Sequence, residues 1–370
     1  MKIIYKNPIV ICLTGLFFML MLITSCKKEE EGQGMPVITR VRTLVKPGVD
    51  QPTALDSTVT SGDVGVTYVI EGQNLKSTNK VEFNGTSAYL NTALFSDHSI
   101  VVMIPATASW INQTGKLILT NVSGTVSFDF SIKQPPPVIT EISQFAGNAG
   151  DEITITGLRF DQVTGVKFGT VEARVVSSKS TELKVTVPSG ALGAVSVTTP
   201  GGTGTGPYVS YDGTAVPILL PFGFRHLFYD DQITAGYDFN FGGASGDVSN
   251  TEMVKRGNHS IKLTYTGNYA GYAVGSNVPV DLSDKTYVKF SIYGTTGTEG
   301  KVVKIGLNDF DNRQVSIVLH AGKWTTYVVP LERFQNASQP GKPTSLNWIG
   351  FQELSGNAPE TIFLDDIGVY

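Results

Sequence analysis

The chain has 370 residues, a formal net charge of −4, 40 glycines, two cysteines and only 16% charged residues. The negative net charge and the lack of a basic patch among aromatic residues exclude nucleic acid as a partner. Two cysteines are too few for a disulfide framework. The length allows two to three domains after removal of a leader, and the glycine-rich, Val-, Ile-, Thr- and Tyr-containing segments indicate a β-rich extracellular protein.

The N-terminus is predicted to be a targeting segment. A short basic stretch precedes an apolar run from Pro8 to Ile23, which is shorter than the roughly 20 residues of a membrane helix. The run ends in Ile23-Thr24-Ser25-Cys26, which resembles the lipobox of bacterial lipoproteins. The resemblance implies a signal peptide over residues 1–25 and a diacylated Cys26. The alternative is an uncleaved anchor with an incidental cysteine.

Residues 26–35 are predicted to form a lipidated tether. The charged stretch at residues 27–31 is typical of a solvated linker. It also resembles the lysine-plus-acidic export signal of Bacteroidetes lipoproteins, which implies display on the outer face of the outer membrane rather than in the periplasm. Because Cys12 lies in the leader, the mature chain would keep one cysteine and would depend on sizeable apolar cores.

An internal repeat follows the tether. Pro36-Val37-Ile38-Thr39 recurs as Pro137-Val138-Ile139-Thr140, and each copy places a phenylalanine eleven residues after a glycine, Phe83 after Gly72 and Phe168 after Gly157. Alternating apolar and polar residues predict half-buried strands, and glycine turns at this spacing predict sandwiches. We expect both glycines to adopt a left-handed backbone conformation.

The repeats resemble the TIG/IPT immunoglobulin-like domain. The resemblance rests on a strand that ends in Gly-x-x-Leu or Gly-x-x-Phe and is followed by Val-x-Phe. It implies domains over residues 36–134 and 137–213, the first with an insertion around residues 46–62. Pro135-Pro136-Pro137 predicts a stiff connector between them. Both domains are interpreted as spacers.

The segment 217–370 is unrelated to the repeats and richer in aromatic residues. Alternating strands are predicted at residues 260–266, 287–293, 302–307, 315–319, 324–329 and 362–369. Many strands without a convincing helix predict a jelly-roll sandwich. The fold class is therefore all-β, two immunoglobulin-like sandwiches followed by a jelly roll.

Short strings in this segment follow the order found in carbohydrate-binding jelly rolls. They include Gly257-Asn258-His259-Ser260-Ile261-Lys262, Gly322-Lys323-Trp324-Thr325, Ile349-Gly350-Phe351-Gln352 and Phe363-Leu364-Asp365-Asp366. The segment thus resembles a galactose-binding-like carbohydrate-binding module.

Candidate glycan-binding residues combine aromatic faces, which stack on sugar rings, with groups that hydrogen-bond to hydroxyls. They are Tyr237, Tyr269, Tyr272, Asn308, Asp309, Arg313, Trp348 and Gln352. In the jelly rolls that this segment resembles, the strand at Tyr269 and Tyr272 lines the concave face. Phe239 and Phe241 are expected in the core and Trp324 packed on the sandwich, and a solvated turn competes as the interpretation of Asn308, Asp309 and Arg313.

Catalytic patterns are missing from the sequence. It has four histidines, no Gly-x-Ser-x-Gly elbow and no His-x-x-x-His pair, and its acids lie in turn-like contexts. The chain is predicted not to be an enzyme and to require no cofactor. A structural calcium ion is a further prediction. The resemblance implies ligands from Asp230 or Asp231 together with Asp365 or Asp366, whose oxygens suit Ca²⁺. Surface acids at strand ends are the alternative.

The order of these parts resembles the surface glycan-binding lipoproteins of Bacteroidetes polysaccharide-utilisation loci. It implies a lipid-anchored outer-membrane protein that binds a polysaccharide, such as a β-glucan, xylan or mannan, and presents it to an outer-membrane glycan importer complex. The alternatives are a surface adhesin or structural protein with a non-glycan ligand, and a glycoside-active enzyme.

Overall fold

The structure is a computed structural model that describes residues 33–44, 57–210, 217–356 and 358–370. The predicted signal peptide, Cys26 and most of the insertion at 46–62 lie outside these residues. Within them the chain forms strands and two single-turn 3₁₀ helices, Thr92–Leu94 and Leu331–Arg333, and no α-helix. The predicted all-β class is therefore confirmed. No helix in the described ranges is long and apolar enough to cross a membrane.

Domain 1 (residues 36–134) is a sandwich. Its strands are β1 (Val37–Thr43), β2 (Thr58–Val59), β3 (Ser61–Gly62), β4 (Thr67–Gln73), β5 (Thr78–Phe83), β6 (Thr86–Ser87), β7 (Ser99–Met103), β8 (Lys116–Asn121), β9 (Gly124–Asp129) and β10 (Ser131–Ile132). One sheet has the order β2-β1-β4-β7 and the other β6-β5-β8-β9, while β10 pairs with β3 in parallel. The alternating strand residues bury one face of each sheet, including Ile70, Val81 and Leu119, in a common core.

Domain 2 (residues 137–222) repeats this arrangement. Its strands are β11 (Val138–Ile142), β12 (Glu152–Leu158), β13 (Gly165–Phe168), β14 (Val171–Glu172), β15 (Arg174–Lys179), β16 (Glu182–Thr186), β17 (Gly193–Thr199), β18 (Gly202–Gly206), β19 (Tyr208–Val209), β20 (Ile218–Leu219) and β21 (Pro221–Phe222). The sheets have the orders β11-β12-β16-β15 and β14-β13-β17-β18. The strand orders of the two domains thus correspond except at one edge strand of the first sheet, which is β2 beside β1 in domain 1 and β15 beside β16 in domain 2.

Gly72 and Gly157 do not adopt the expected left-handed backbone conformation. Neither has a positive φ; the left-handed residues are Asn74 (φ 57°) and Arg159 (φ 63°), two positions later. Each glycine pairs with β1 or β11 beside a shift in register. A Cβ there would overlap the carbonyl oxygen of the residue that begins the neighbouring strand. The expectation of left-handed glycines is wrong, and close strand approach is the reason for glycine.

Domain 2 extends beyond the predicted boundary at residue 217. Strand β20 pairs with β19, and β21 pairs with β17. Leu220 and Phe222 are buried in the core of domain 2, where the Phe222 ring centre lies 4.6 Å from that of Phe168. Domain 2 therefore includes these two apolar residues and ends after them.

Domain 3 (residues 223–370) is a jelly-roll sandwich. Its strands are β22 (His226–Tyr229), β23 (Gly236–Phe241), β24 (Ala244–Asn250), β25 (Ser260–Tyr265), β26 (Gly271–Asp281), β27 (Tyr287–Gly294), β28 (Val302–Leu307), β29 (Gln314–Val318), β30 (Trp324–Pro330), β31 (Ser345–Glu353) and β32 (Glu360–Val369). The back sheet has the order β24-β25-β32-β27-β30, with β22 also on β32. The front sheet has the order β23-β26-β31-β28-β29. Between them lies a core that includes Phe290, Ile305 and Phe351.

Domains 2 and 3 form one compact unit, and the described residues up to 134 form another. Val328 of β30, in domain 3, is fully buried in the core of domain 2. Tyr287 and Phe224, also in domain 3, pack against the same core. The two domains therefore share buried apolar surface, which couples their stabilities.

A buried lysine lies at this junction. Lys289 of β27 has no exposed surface, and its ammonium donates to the carbonyl oxygens of Pro221 (2.5 Å) and Gly223 (2.7 Å). The same nitrogen lies 4.7 Å from the ring centres of both Phe145 and Phe224, a cation–π arrangement. Burial lowers the pKa of Lys289 well below its usual value.

Candidate functional site

The outward face of the front sheet carries a group of five aromatic rings, here called the aromatic belt. Its members are Tyr237, Phe239, Phe241, Phe310 and Trp348. Ring centres are 6.3 Å apart for Tyr237–Phe239, 5.6 Å for Phe239–Trp348, 5.1 Å for Phe310–Trp348 and 5.6 Å for Phe241–Phe310. The rings thus form one continuous apolar surface.

Strand alternation places three of these rings side by side. Tyr237, Phe239 and Phe241 are two residues apart on β23, so they share one face. Strand β23 pairs with β26. On β26, Tyr272 and Val274 point to the opposite face and are fully buried. The three rings therefore point away from the core.

Glycines form the floor beneath the belt. A Cβ added at Gly275 would lie 2.6 Å from Cζ of Tyr237, and one added at Gly350 would lie 2.8 Å from Cζ3 of Trp348. Gly271 and Gly306 lie in the same way beneath Phe241 and Phe310. Because glycines lie beneath four of the rings and the small Ala273 lies opposite Phe239, the belt is low and broad.

The belt residues are accessible. Tyr237 is 39% and Phe241 37% exposed, and Phe239 and Trp348 are half-buried. The expected core positions of Phe239 and Phe241 are therefore wrong. The physical reason is that β23 lies at the edge of the sheet, where polar residues are tolerated at the alternate positions: Asp238 stays exposed and accepts a hydrogen bond from the Tyr272 hydroxyl (2.9 Å).

Polar side chains border the belt on the same face. In the pairing of β31, β28 and β29, Gln352 stands opposite Lys304 and Lys304 opposite Ser316. The Gln352 amide donates to the carbonyl oxygen of Tyr269 (2.9 Å), whose ring is 59% exposed. Of the predicted residues, the structure thus brings Tyr237, Trp348 and Gln352 to one face, with Tyr269 at its margin.

Tyr272 does not belong to this surface. Its side chain is fully buried in the core of domain 3, and burial raises the pKa of its hydroxyl above the usual range. The prediction that Tyr272 contacts a glycan is wrong because alternation on β26 turns it inward, opposite to the glycines under the belt.

Asn308, Asp309 and Arg313 support the loop that presents Phe310. The Asn308 amide oxygen accepts hydrogen bonds from the backbone N–H groups of Asn347 (2.7 Å) and Trp348 (3.1 Å). Asp309 accepts from two N–H groups of the same turn, and Arg313 donates to the Phe334 and Gly341 carbonyl oxygens. These contacts correspond to the turn interpretation. Phe310 is not among the site residues predicted from the sequence. The signal that could have indicated it is a lone aromatic residue in a polar turn, among Asn308, Asp309, Asp311 and Asn312.

The acids proposed to bind calcium are only partly together. Oxygens of Asp230, Asp365 and Asp366, here called the acidic cluster, lie within 4.8 Å of one another. Asp231 instead accepts hydrogen bonds from the backbone N–H groups of Asn258 and His259 (2.8 Å for His259). The cluster therefore contains one acid of the Asp230-Asp231 pair and both acids of the Asp365-Asp366 pair.

Arg256 is the counterion of the acidic cluster. Its guanidinium donates to Asp230 (2.8 Å) and Asp366 (2.7 Å), and the backbone N–H groups of Lys255 and Arg256 donate to Asp365 (2.9 and 3.2 Å). Burial raises the pKa of Asp230 to about 6 and that of Asp365 to about 7. Asp230 Oδ1 is buried without a partner. A calcium ion needs six to eight oxygen ligands, and this set, already bound to a guanidinium, does not fit one.

A family model for the IPT/TIG domain matches residues 52–132 and 137–212. The chain carries two IPT/TIG domains. The resemblance inferred from the glycine and phenylalanine spacing is confirmed for both repeats.

Two curated proteins are similar to parts of the chain. An IPT/TIG domain-containing protein of Bacteroides ovatus is 28% identical over 177 residues, which cover 46% of this chain and 35% of that protein. A cyclomaltodextrin glucanotransferase of Geobacillus stearothermophilus is 31% identical over 163 residues, 39% of this chain and 22% of the enzyme. The chain therefore spans about a third or less of the length of either relative.

One solved structure aligns with nearly the whole chain. It is the surface glycan-binding protein PbSGBP-B from Prevotella bryantii, with a TM-score of 0.54 and 17% identity over 91% of this chain and 98% of that one. The likeness shows that this chain and the solved protein share a fold.

Proposed function

We propose that the chain captures a polysaccharide on the aromatic belt of domain 3. The observation that carries this proposal is the belt itself, five adjoining rings over a glycine floor with a polar border. Contiguous exposed apolar surface on a folded domain marks a binding site. Apolar faces of sugar rings stack on aromatic rings, and Gln352 and Lys304 lie where hydroxyl groups at the edge of a bound chain would need partners.

The low, open shape of the belt favours a polymer over a small molecule. An enclosed pocket surrounds a small ligand, whereas the belt lies on an open sheet face that a long chain crosses without meeting a wall. β-Linked glucans, xylans and mannans present apolar ring faces and are the ligands that we propose. The shared fold with a surface glycan-binding protein supports a glycan as the ligand.

We further propose that the protein acts at the cell surface and without catalysis. In this proposal Cys26 anchors the chain to the outer membrane, the IPT/TIG domains are spacers, and many copies together offset the weak affinity of a single belt. The captured polysaccharide is then passed to an outer-membrane importer.

Affinity gel electrophoresis tests the capture proposal. The soluble chain from residue 27 onward is run in gels that contain mixed-linkage β-glucan, xyloglucan, xylan or mannan. We expect at least one polysaccharide to retard the chain. Equal mobility in all gels would contradict the proposal and favour an adhesin with a non-glycan ligand. Release of reducing sugar would identify an enzyme instead.

Replacing Tyr272 by phenylalanine is expected to leave binding unchanged. The ring is buried behind the front sheet, and only its hydrogen bond to Asp238 is lost, which costs about 1–2 kcal/mol in unfolding free energy. Retardation in the gel and thermal unfolding measure the two effects. A loss of retardation with intact stability would place Tyr272 in the site after all.

Replacing Cys26 by alanine is expected to release the protein from the membrane. The cysteine provides the acyl chains, and without two chains an anchor is reversible or absent. Metabolic labelling with palmitate and membrane fractionation measure the effect, and protease treatment of whole cells reports surface display. Labelling that persists in the variant would show that the leader is an uncleaved anchor or that another residue is acylated.

A further inference from the structure

The acidic cluster of domain 3 is assembled by a break in strand geometry. Successive residues of a regular strand point to opposite faces, yet Asp365 and Asp366 both contribute to the cluster. Asp366 has a φ of 52°, and the register of β27 against β32 shifts between Lys289 and Ser291. Such a bulge redirects a side chain and is a built feature of a sheet. Here it turns two consecutive carboxylates toward Asp230.

Three carboxylates this close together are stabilised by a neighbouring cation. Asp365 and Asp366 are buried, with 0% and 1% of their surface exposed. Like charges in a low-dielectric interior repel strongly, and a buried charge without a partner is costly. The loop between β24 and β25 supplies the cation, because Arg256 lies on it with only 10% of its side chain exposed.

We propose that the Arg256 guanidinium replaces a bound metal ion at the acidic cluster, and that its removal converts the cluster into a site for a hard divalent cation. Two guanidinium nitrogens bind two different carboxylates, and the backbone N–H groups of Lys255 and Arg256 bind the third. One short stretch of chain therefore provides donors to all three acids. A metal ion beside the guanidinium would have to displace these donors and would be repelled by its charge.

The removal of Arg256 leaves three carboxylates within 4.8 Å, one of which already has an unpartnered oxygen at Asp230 Oδ1. Oxygen ligands at this separation suit Ca²⁺, and water supplies the remaining ligands. The same three acids thus hold an arginine in the native chain and would hold an ion in its absence.

Thermal unfolding of the soluble chain with CaCl₂ or with EDTA tests the proposal. We expect the wild-type Tm to be the same in both. Arg256→Gln is expected to unfold at lower temperature in EDTA and to regain several degrees in CaCl₂, since binding to the native state stabilises it. Titration calorimetry with CaCl₂ should then show one ion per chain for Arg256→Gln and none for the wild type.

Matched variants make each result interpretable. Arg256→Gln/Asp365→Asn should lose the calcium response, and Arg225→Gln, at an exposed pair with Asp284, should show none. A wild-type Tm that rises in CaCl₂ would overturn the proposal, and so would a folded Arg256→Gln chain that ignores calcium. If Arg256→Gln does not fold in EDTA but folds in CaCl₂, the result supports the proposal. If Arg256→Gln folds in neither solution, the proposal is overturned.

Discussion

Trp348→Ala is expected to weaken polysaccharide binding about 30-fold, which corresponds to roughly 2 kcal/mol. Trp348 lies at the centre of the belt, between Phe239 and Phe310. Its indole offers the largest ring face of the group, and its loss removes the ring that links Phe239 to Phe310, which breaks the apolar surface in two. Titration calorimetry with the polysaccharide that retards the wild-type chain measures the affinity.

Trp324→Ala is the matched control for this prediction. Trp324 is a second half-buried tryptophan of domain 3, but it lies on the back sheet and contacts Tyr293, with 5.8 Å between ring centres. Its packing on the sandwich agrees with the sequence expectation. We expect Trp324→Ala to lower the Tm and to preserve affinity. Loss of binding in Trp324→Ala, with normal binding in Trp348→Ala, would move the site to the back sheet.

Lys289→Met is expected to uncouple domain 2 from domain 3. Methionine fills a similar volume but leaves the carbonyl oxygens of Pro221 and Gly223 without their donor, and each buried unsatisfied acceptor costs about 1–3 kcal/mol. The contacts with Phe145 and Phe224 also lose their cation–π component. In calorimetry we expect domains 2 and 3 to unfold together in the wild type and in two steps in the variant.

Lys262→Met serves as the control for Lys289→Met. Lys262 also belongs to the back sheet, but its ion pair with Glu252 is largely exposed, and such pairs contribute about 1 kcal/mol or less. In the Lys262→Met variant, domains 2 and 3 should still unfold together in a single transition. Polysaccharide affinity should persist in both variants, since the belt lies on the other sheet. Identical unfolding of the two variants would show that Lys289 does not join the domains.

Residue types and their spacing predict the strands, the domains and part of the candidate site from the sequence alone. Alternation predicts the strands, and the spacing of Gly72 to Phe83 and Gly157 to Phe168 predicts two related domains, whose strand orders differ only at one edge strand. The sequence predicts Tyr237, Trp348 and Gln352 as glycan contacts because tyrosine, tryptophan and glutamine suit exposed contacts with sugars. These are local properties, which depend on a residue and its neighbours in the chain.

Tertiary structure decided which face of each strand meets the core. Alternation shows that Tyr237, Phe239 and Phe241 share a face, yet only the register of β23 against β26, whose alternate residues are buried, makes that face the outer one. The same pairing turns Tyr272 inward and brings Phe310 over glycines of two strands. Arg256 meets acids that lie about 110 residues away in the chain. Long-range strand pairing sets these contacts, and no pattern within one segment contains it.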